Sequence, residues 1–482
     1  MTLGRLELAE GSPALAGTSF EEALALSRTT DNRWAQASAL AGLGEALSLV
    51  GQEEPALAFL SEAVAVSQEI GDRIRTAEGR YLIARIERRR ENLGAARRAA
   101  EETLDVVDEI RGVMGSAELR TLFAATARRY HELYVDILMA QHERRPDGRH
   151  AVEALAASEE TRARSLLEIL AEADLGAGAE VPEELRIERG ELLDRLNDAA
   201  LRRQLLLEAS LGAEEPLRRV ELELEDLLIR LRGVEGRIRT ASPRYATLTQ
   251  PERFEMKDIQ RSILDPDTAL LEYFLGEERS FLWVVRKDGL RTYELPPRAE
   301  IDRDARCLHW LITAYGELPE ADSLKPEDID CLADGREDYR AARLEDHPLR
   351  RRAGQKQAIA AVYRAVAARL SATLLGPPAR DGLLPFRLAI VSDGALEYVP
   401  FAALPNPAAD GQLVVNTHEV VRQPSASVLA LQRVKPPPAD TVSGVLAIVA
   451  DPVYELQDGR ITGRPGERNG GDAEDLARAR EP

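Results

Sequence analysis

Phe386-Arg387-Leu388-Ala389-Ile390-Val391-Ser392-Asp393-Gly394-Ala395-Leu396-Glu397-Tyr398-Val399-Pro400-Phe401-Ala402-Ala403-Leu404 runs from a short apolar segment into a turn and back again. Phe386 to Val391 has the length and near-continuous apolar character of a buried strand. Asp393-Gly394 ends it, because glycine permits a positive φ and the Asp393 carboxylate can accept from nearby backbone N–H groups. Tyr398, Pro400, Phe401 and Leu404 are expected to pack the chain back against the sheet. Ligands tend to sit at the carboxyl ends of α/β strands, so Asp393 has a second reading as a substrate contact beside the simpler one as a turn residue.

Working outward, Thr268 to Leu275 and Ser280 to Arg286 read as paired strands, and Lys287-Asp288-Gly289 as a turn into Leu290 to Leu295. A helix is expected from Ala299 to Tyr315, a charged loop from Glu317 to Arg352, and another helix from Gln355 to Leu375. A helix around Pro424 to Arg433 and a strand from Gly444 to Ala450 follow the central segment, and His418 precedes a strand as an edge or surface residue. The strand from Phe386 to Val391, the helix around Pro424 to Arg433 and the strand from Gly444 to Ala450, with near-continuous apolar strands, argue for a parallel α/β sheet within a domain of residues 241–482.

Residues 113–240 read as helical throughout. Tyr130, Leu133, Tyr134, Ile137, Leu138 and Met139 lie towards one side of a helix ending near Pro146-Asp147-Gly148. Ala151 to Leu170 makes the next, with Glu159, Arg162, Arg164 and Glu168 as its solvated, ion-paired side. Leu185 to Leu211 and Leu217 to Ile238 form a long antiparallel hairpin about Gly212-Ala213-Glu214-Glu215-Pro216.

In residues 1–112 the chain repeats. Glu22-Ala23-Leu24-Ala25-Leu26-Ser27 returns forty residues later as Glu62-Ala63-Val64-Ala65-Val66-Ser67, and Ala56, Glu62 and Val64 return as Ala96, Glu102 and Leu104. Each unit reads as a helix pair that cannot bury its apolar face alone, so the pairs stack into an α-solenoid. The turns are read at Gly51-Gln52-Glu53-Glu54-Pro55-Ala56, with Ala56 opening a helix, and at Gly71-Asp72. The small-residue spacing resembles tetratricopeptide repeats of a long variety; HEAT-like repeats, at about 40 to 47 residues, are the alternative. Phe20 to Ser27 matches a second helix, so the array begins in mid-register, with either a weak first helix before Gly11 or repeats missing upstream.

The chain has 482 residues, 83 acidic and 63 basic side chains, and a net charge of -20, which gives no electrostatic support for a nucleic-acid partner. Cys307 and Cys331 are the two cysteines, too few for a disulfide framework, which points to a reducing, cytoplasmic setting. No apolar run approaches the roughly 20 residues that would span a bilayer.

Val391 to Leu404 resembles the signature of CHAT domains, the caspase-like, separase-related module that bacteria attach to tetratricopeptide repeats. Arg422-Gln423-Pro424-Ser425-Ala426-Ser427 is similar to the family's next element, and Val445 to Tyr454, with Asp451-Pro452, to its following strand. Ala269 to Gly276 and Ala157 to Leu170 are also similar. The resemblance implies a caspase-like cysteine peptidase without cofactor, regulated by a protein or peptide on the repeats. The motif residues Asp393, Gly394, Leu396, Pro400, Phe401, Pro424, Ser425, Asp451 and Pro452 then serve mainly structural roles. The alternative is a non-catalytic interaction scaffold.

The family's chemistry needs a histidine base and a cysteine nucleophile. In the family these stand in a His-Gly element and a later cysteine, beyond the Asp-Pro strand. Here no histidine precedes a glycine and no cysteine follows Cys331. His309 stands two residues from Cys307 and so on another face of the helix. The expectation is therefore an incomplete α/β domain, a fragment cut before its catalytic dyad.

Overall fold

The computed structural model describes residues 1–112, 117–177, 181–208, 214–249, 255–316, 331 and 348–429. Its first part is a series of helices set by a twenty-residue beat. After α1 (Thr2–Ala9) come α2 (Pro13–Thr29), α3 (Arg33–Leu49), α4 (Glu53–Glu69), α5 (Arg73–Arg89) and α6 (Leu93–Gly112). The beat is written into the turns, where Gly11, Asp31, Gly51, Gly71 and Glu91 all have positive φ and stop one helix after another. Asn32 and Asp72, forty residues apart, cap α3 and α5 by accepting from Ala35 N–H at 2.9 Å and Arg75 N–H at 3.1 Å.

Small residues let consecutive helices close on one another. A Cβ on Gly44 would lie 2.6 Å from Leu60, and one on Gly4 would lie 2.9 Å from the Phe20 ring. Gly4 therefore receives Phe20 in α1–α2 as Gly44 receives Leu60 in α3–α4, so α1 is the first helix of a pair. The expected turn from Gly51 to Ala56 is shorter than read, because α4 already starts at Glu53. Pro55 fits there because the first helical turn needs no N–H from it, and Ala56 sits fully buried inside the helix.

Helices α7 (Ala117–Arg144) and α8 (Arg149–Ala177) follow, then α9 (Glu183–Glu208) and α10 (Glu214–Ala241). The last two form the expected antiparallel hairpin, with Leu192, Leu196, Leu227, Leu231 and Val234 in its seam. Ion pairs Arg202–Glu223 at 3.0 Å and Arg237–Glu188 at 2.7 Å line its outside. Glu214-Glu215-Pro216 belongs to the first turn of α10 rather than to the loop. Two short helices, α11 (Pro243–Thr249) and α12 (Met256–Ser262), lead into the sheet.

The sheet contains β1 (Thr268–Phe274), β2 (Ser280–Arg286), β3 (Gly289–Leu295), β4 (Arg387–Val391) and β5 (Glu419–Gln423), in the order β3-β2-β1-β4-β5. Only β1, β4 and β5 are parallel to one another; β1 with β2 and β2 with β3 are antiparallel. The sheet is thus mixed, with the strands read from Thr268 to Leu295 paired antiparallel and β4 parallel to both its neighbours; Phe386, read into the buried central strand, lies just before β4 and is 59% exposed. Short connections force the antiparallel pairs, while the continuous burial of β2 reflects cover on both faces rather than strand direction.

Helices α13 (Arg298–Gly316) and α14 (Pro348–Leu374), with the short α15 (Gly376–Arg380), complete the described elements on the chain between β3 and β4. Residues 348–352, expected in a loop, belong to α14. On one face of the sheet Leu271, Tyr273, Leu282, Leu388 and Ile390 pack with Leu308 and Leu311 of α13 and Val362 and Leu370 of α14. On the other, Leu270, Phe274, Trp283, Ala389 and Val391 pack with Val135 and Leu138 of α7, Leu155 of α8 and Ile259 of α12. The helical segment before the sheet is therefore part of its covering. The expected strand Gly444 to Ala450 and the segment Asp458 to Pro482 lie outside the described residues, and the helix expected around Pro424 to Arg433 is described only to residue 429.

Candidate functional site

Strand β4 ends at Val391, and the next residues turn as the local chemistry requires. Gly394 has φ +57, and a Cβ there would come within 3.3 Å of both Asp302 and Leu275. The turn is held from α13, where Asp302 Oδ1 accepts the Ala395 N–H at 3.1 Å. Asp393 Oδ2 accepts the Leu275 N–H at 2.8 Å, stitching the end of β4 to the end of β1.

Asp393 also receives Arg128 Nη2 of α7 at 2.7 Å, and the same guanidinium donates to Glu132 at 2.7 Å. Arg298 donates to Glu132 and to the Leu275 carbonyl. Burial alone pushes the Asp393 pKa up, but Arg128, Arg162 and the Leu275 N–H outweigh it and hold the carboxyl below its ordinary value. Asp393 is therefore an anion locked to an arginine from a neighbouring helix.

One strand position deeper, Glu272 sits fully buried on the apolar α7–α8 face, between Leu270 and Phe274. Ser158 Oγ donates to its Oε1 at 3.0 Å, and Arg162 Nη1 lies 3.3 Å from the same oxygen. Burial first, and then the neighbouring Glu159 carboxylate, raise the Glu272 pKa well above the ordinary range, with Arg162 pulling the other way. No donor reaches Glu272 Oε2. Glu159 is within hydrogen-bonding range, so a proton retained on Glu272 lets it donate to Glu159.

Glu159 is itself fully buried and accepts at Oε2 from Ser425 Oγ and from the Ser427 N–H, each at 2.8 Å. Ser425 Oγ in turn accepts the Val428 N–H at 3.2 Å, as an N-cap does for the short helical segment at 426–429. Arg162 Nη2 donates to the Tyr273 carbonyl at 2.9 Å. The carboxyl ends of β1 and β4, the start of the 426–429 segment and helices α7 and α8 are thus joined by one buried ionic belt.

The motif residues fall as follows. Asp393 and Gly394 make the expected turn; Leu396, Phe401 and Leu404 are buried, with the Phe401 ring 5.5 Å from that of Tyr273. Pro400 is half-buried, Pro424 is exposed, and Ser425 is buried in the belt. Tyr398 does not pack against the sheet. It is 59% exposed and lies 5.1 Å from the His309 ring, because the 3-10 turn that begins at Gly394 points it away from the core. Asp451 and Pro452 lie outside the described residues.

The larger correction concerns Glu159 and Arg162, expected on a solvated helix side. Both face the sheet, because their side of α8 meets Glu272 and Ser425 rather than water. The side chains of Arg164 and Glu168 are not among those described. The sequence signal for this site was Glu272 itself, one carboxyl inside the apolar run Ala269 to Leu275. His418, half-buried before the outermost described strand β5, bonds the Pro385 carbonyl through Nδ1 at 2.7 Å, in keeping with its edge reading. The Cys307 thiol is hydrogen-bonded to Cys331 and flanked by Asp304 and Arg369, while exposed His309 stacks on Tyr398.

A family model described as the CHAT domain matches residues 356–479, beginning within α14 and passing through β4, the Asp393-Gly394 turn and β5. The C-terminal part of the chain thus carries a CHAT domain, preceded by a mostly helical region. No curated protein matches the chain. Among the described residues, no helix is long and apolar enough to cross a membrane.

Proposed function

We propose that the chain is the regulatory and N-terminal portion of a caspase-like cysteine peptidase of the cytoplasm. Its tetratricopeptide-like helix pairs bind a protein or peptide, and its CHAT domain carries the sheet on which the peptidase dyad is built. What carries this reading is the salt bridge from Arg128 of α7 to Asp393 in the turn of the family signature. A helix pair packed against the preceding helices reaches directly into the turn that ends β4. A partner that shifts α7 relative to the sheet would then act on that turn with no separate messenger.

In this reading residues 1–112 are the binding solenoid, 113–240 the coupling helices and 241–482 the caspase-like domain. The dyad would follow the Asp451-Pro452 strand, since Cys307 and Cys331 engage each other's thiols. That same pairing favours the second reading, a non-catalytic scaffold, for these 482 residues taken alone. The decisive experiment translates the reading frame beyond Pro482 and assays the product for partner-dependent proteolysis. A His-Gly element followed by a cysteine, with cleavage lost when either residue becomes alanine, is the expected result. A continuation without that pair defeats the peptidase reading. Cleavage by residues 1–482 that is lost in Cys331→Ala or Cys307→Ala would instead defeat the scaffold reading.

A further inference from the structure

Cys307 lies on the buried side of α13, with Leu308 and Leu311 in the same core. Cys331 is half-buried and packs against that core, and the two thiols are hydrogen-bonded to each other. A lone buried cysteine is ordinarily a small apolar filler, but two in contact, one buried and one reaching solvent, form a different chemical object. Metal binding does not explain them. Asp304, one turn before Cys307, is committed to Arg369 at 2.6 Å. Among the described residues no group of three or more His, Cys, Asp or Glu is placed to hold an ion.

We propose that Cys307 and Cys331 form a reversible dithiol–disulfide pair, with Cys331 as the attacking thiol and Cys307 as the resolving one, oxidised by a small-molecule disulfide such as oxidised glutathione.

The asymmetry follows from the site. The hydrogen bond with Cys331, then burial, raise the Cys307 pKa. Cys307 is 3% exposed in the core, whereas Cys331 is half-buried, so Cys331 is the thiol that a disulfide in solution can reach. Cys331 loses its proton to solvent and its sulfur attacks one sulfur of the small disulfide; the S–S bond breaks and one small thiol leaves, giving a mixed disulfide at Cys331. Cys307 then loses its proton to solvent and its sulfur attacks Cys331 Sγ; the mixed disulfide breaks and the second small thiol leaves. Two protein thiols are oxidised and one small disulfide is reduced to two thiols, so electrons and protons balance.

The location gives the bond a consequence. Helix α13 holds the Asp393-Gly394 turn through Asp302 and holds α14 through the Asp304–Arg369 pair. Oxidation would fasten residue 331 covalently to this supporting helix, little more than a turn from Asp302. The redox poise of the surroundings would then set how firmly the turn is buttressed, independently of whether the parent is a peptidase.

The test incubates the native 482-residue chain in glutathione buffers of increasing oxidised fraction. Free thiols are counted with a chromogenic disulfide, and unreduced peptides are identified by mass spectrometry. Both thiols are expected to disappear together, yielding an intrachain Cys307–Cys331 peptide. Cys307→Ser should stop at the mixed disulfide on Cys331, and Cys331→Ser should leave Cys307 unreactive until the chain is unfolded in guanidinium. In the reduced native chain, Cys331 should be alkylated about tenfold or more faster than Cys307. Stable mixed disulfides on both cysteines, linkage only between chains, or alkylation of Cys307 in native Cys331→Ser as fast as in the unfolded chain would each overturn the proposal. Thermal melts of both variants distinguish these outcomes from misfolding.

Discussion

Helices α1–α6 and the sheet with its covering helices use charge in opposite ways. In the first region, arginines and carboxylates meet across neighbouring helices at the surface: Arg28 with Glu62 at 3.0 Å and Arg73 with Glu109 at 3.3 Å, all about half exposed. The helices are held by glycine and alanine contacts and by regular turns, so the ion pairs are incidental. In the second region Arg162 sits over two buried carboxyls, and removing it would leave charge stranded under α8. Repetition lets each unit be stabilised locally, whereas the sheet requires partners more than a hundred residues apart.

That contrast breaks most visibly at Arg162. Arg162→Ala leaves Glu159 and Glu272 without their cation, and a loss of about 3 to 5 kcal/mol in urea unfolding is expected; a loss below 1 kcal/mol would mean that the belt is wet. Next in size is the helix array's own weak point. Gly44→Val puts a branched side chain where a Cβ already meets Leu60 at 2.6 Å, and should cost about 1 to 3 kcal/mol by the same measurement.

A pH titration of stability sharpens the comparison within the belt. Glu272 has a raised folded-state pKa, so its contribution is fully present below its unfolded value, about 4.3, and is lost as pH rises through the folded one. Asp393 has a lowered pKa, so its contribution is present above its unfolded value and is lost as pH falls through the folded one. Glu272→Gln should therefore flatten the alkaline side of the stability profile, and Asp393→Asn the acid side. Exchange of these two effects would reverse the assignment of the proton to Glu272. The smallest effect belongs to the surface: Arg28→Ala should change stability by at most about 1 kcal/mol, and less in high salt.

What could be read from the residues alone divides along the same line. The forty-residue period, the helical hairpin and the Asp393-Gly394 turn were legible because each is decided by residues close in the chain. Glu159 and Arg162, three apart on α8, were legible as an ion pair but not as a buried one. Their burial is set by Glu272 and Ser425, which reach them only through the fold. The mixed sheet was half legible: the β1–β2–β3 turns announced their antiparallel pairing, while the apolar strands disguised it. Nothing local marked Arg128 as the partner of Asp393.

The way α7 and α8 roof one face of the sheet bears on where the polypeptide tolerates being cut. A protein started at residue 241, where the helical character gives way to strands, would expose Leu270, Phe274 and Trp283 to water and leave Glu272 without its arginine. Such a piece is expected to aggregate on expression. One started at Ala117 keeps that roof and should melt cooperatively in calorimetry, so the boundary that matters for soluble production lies ahead of α7.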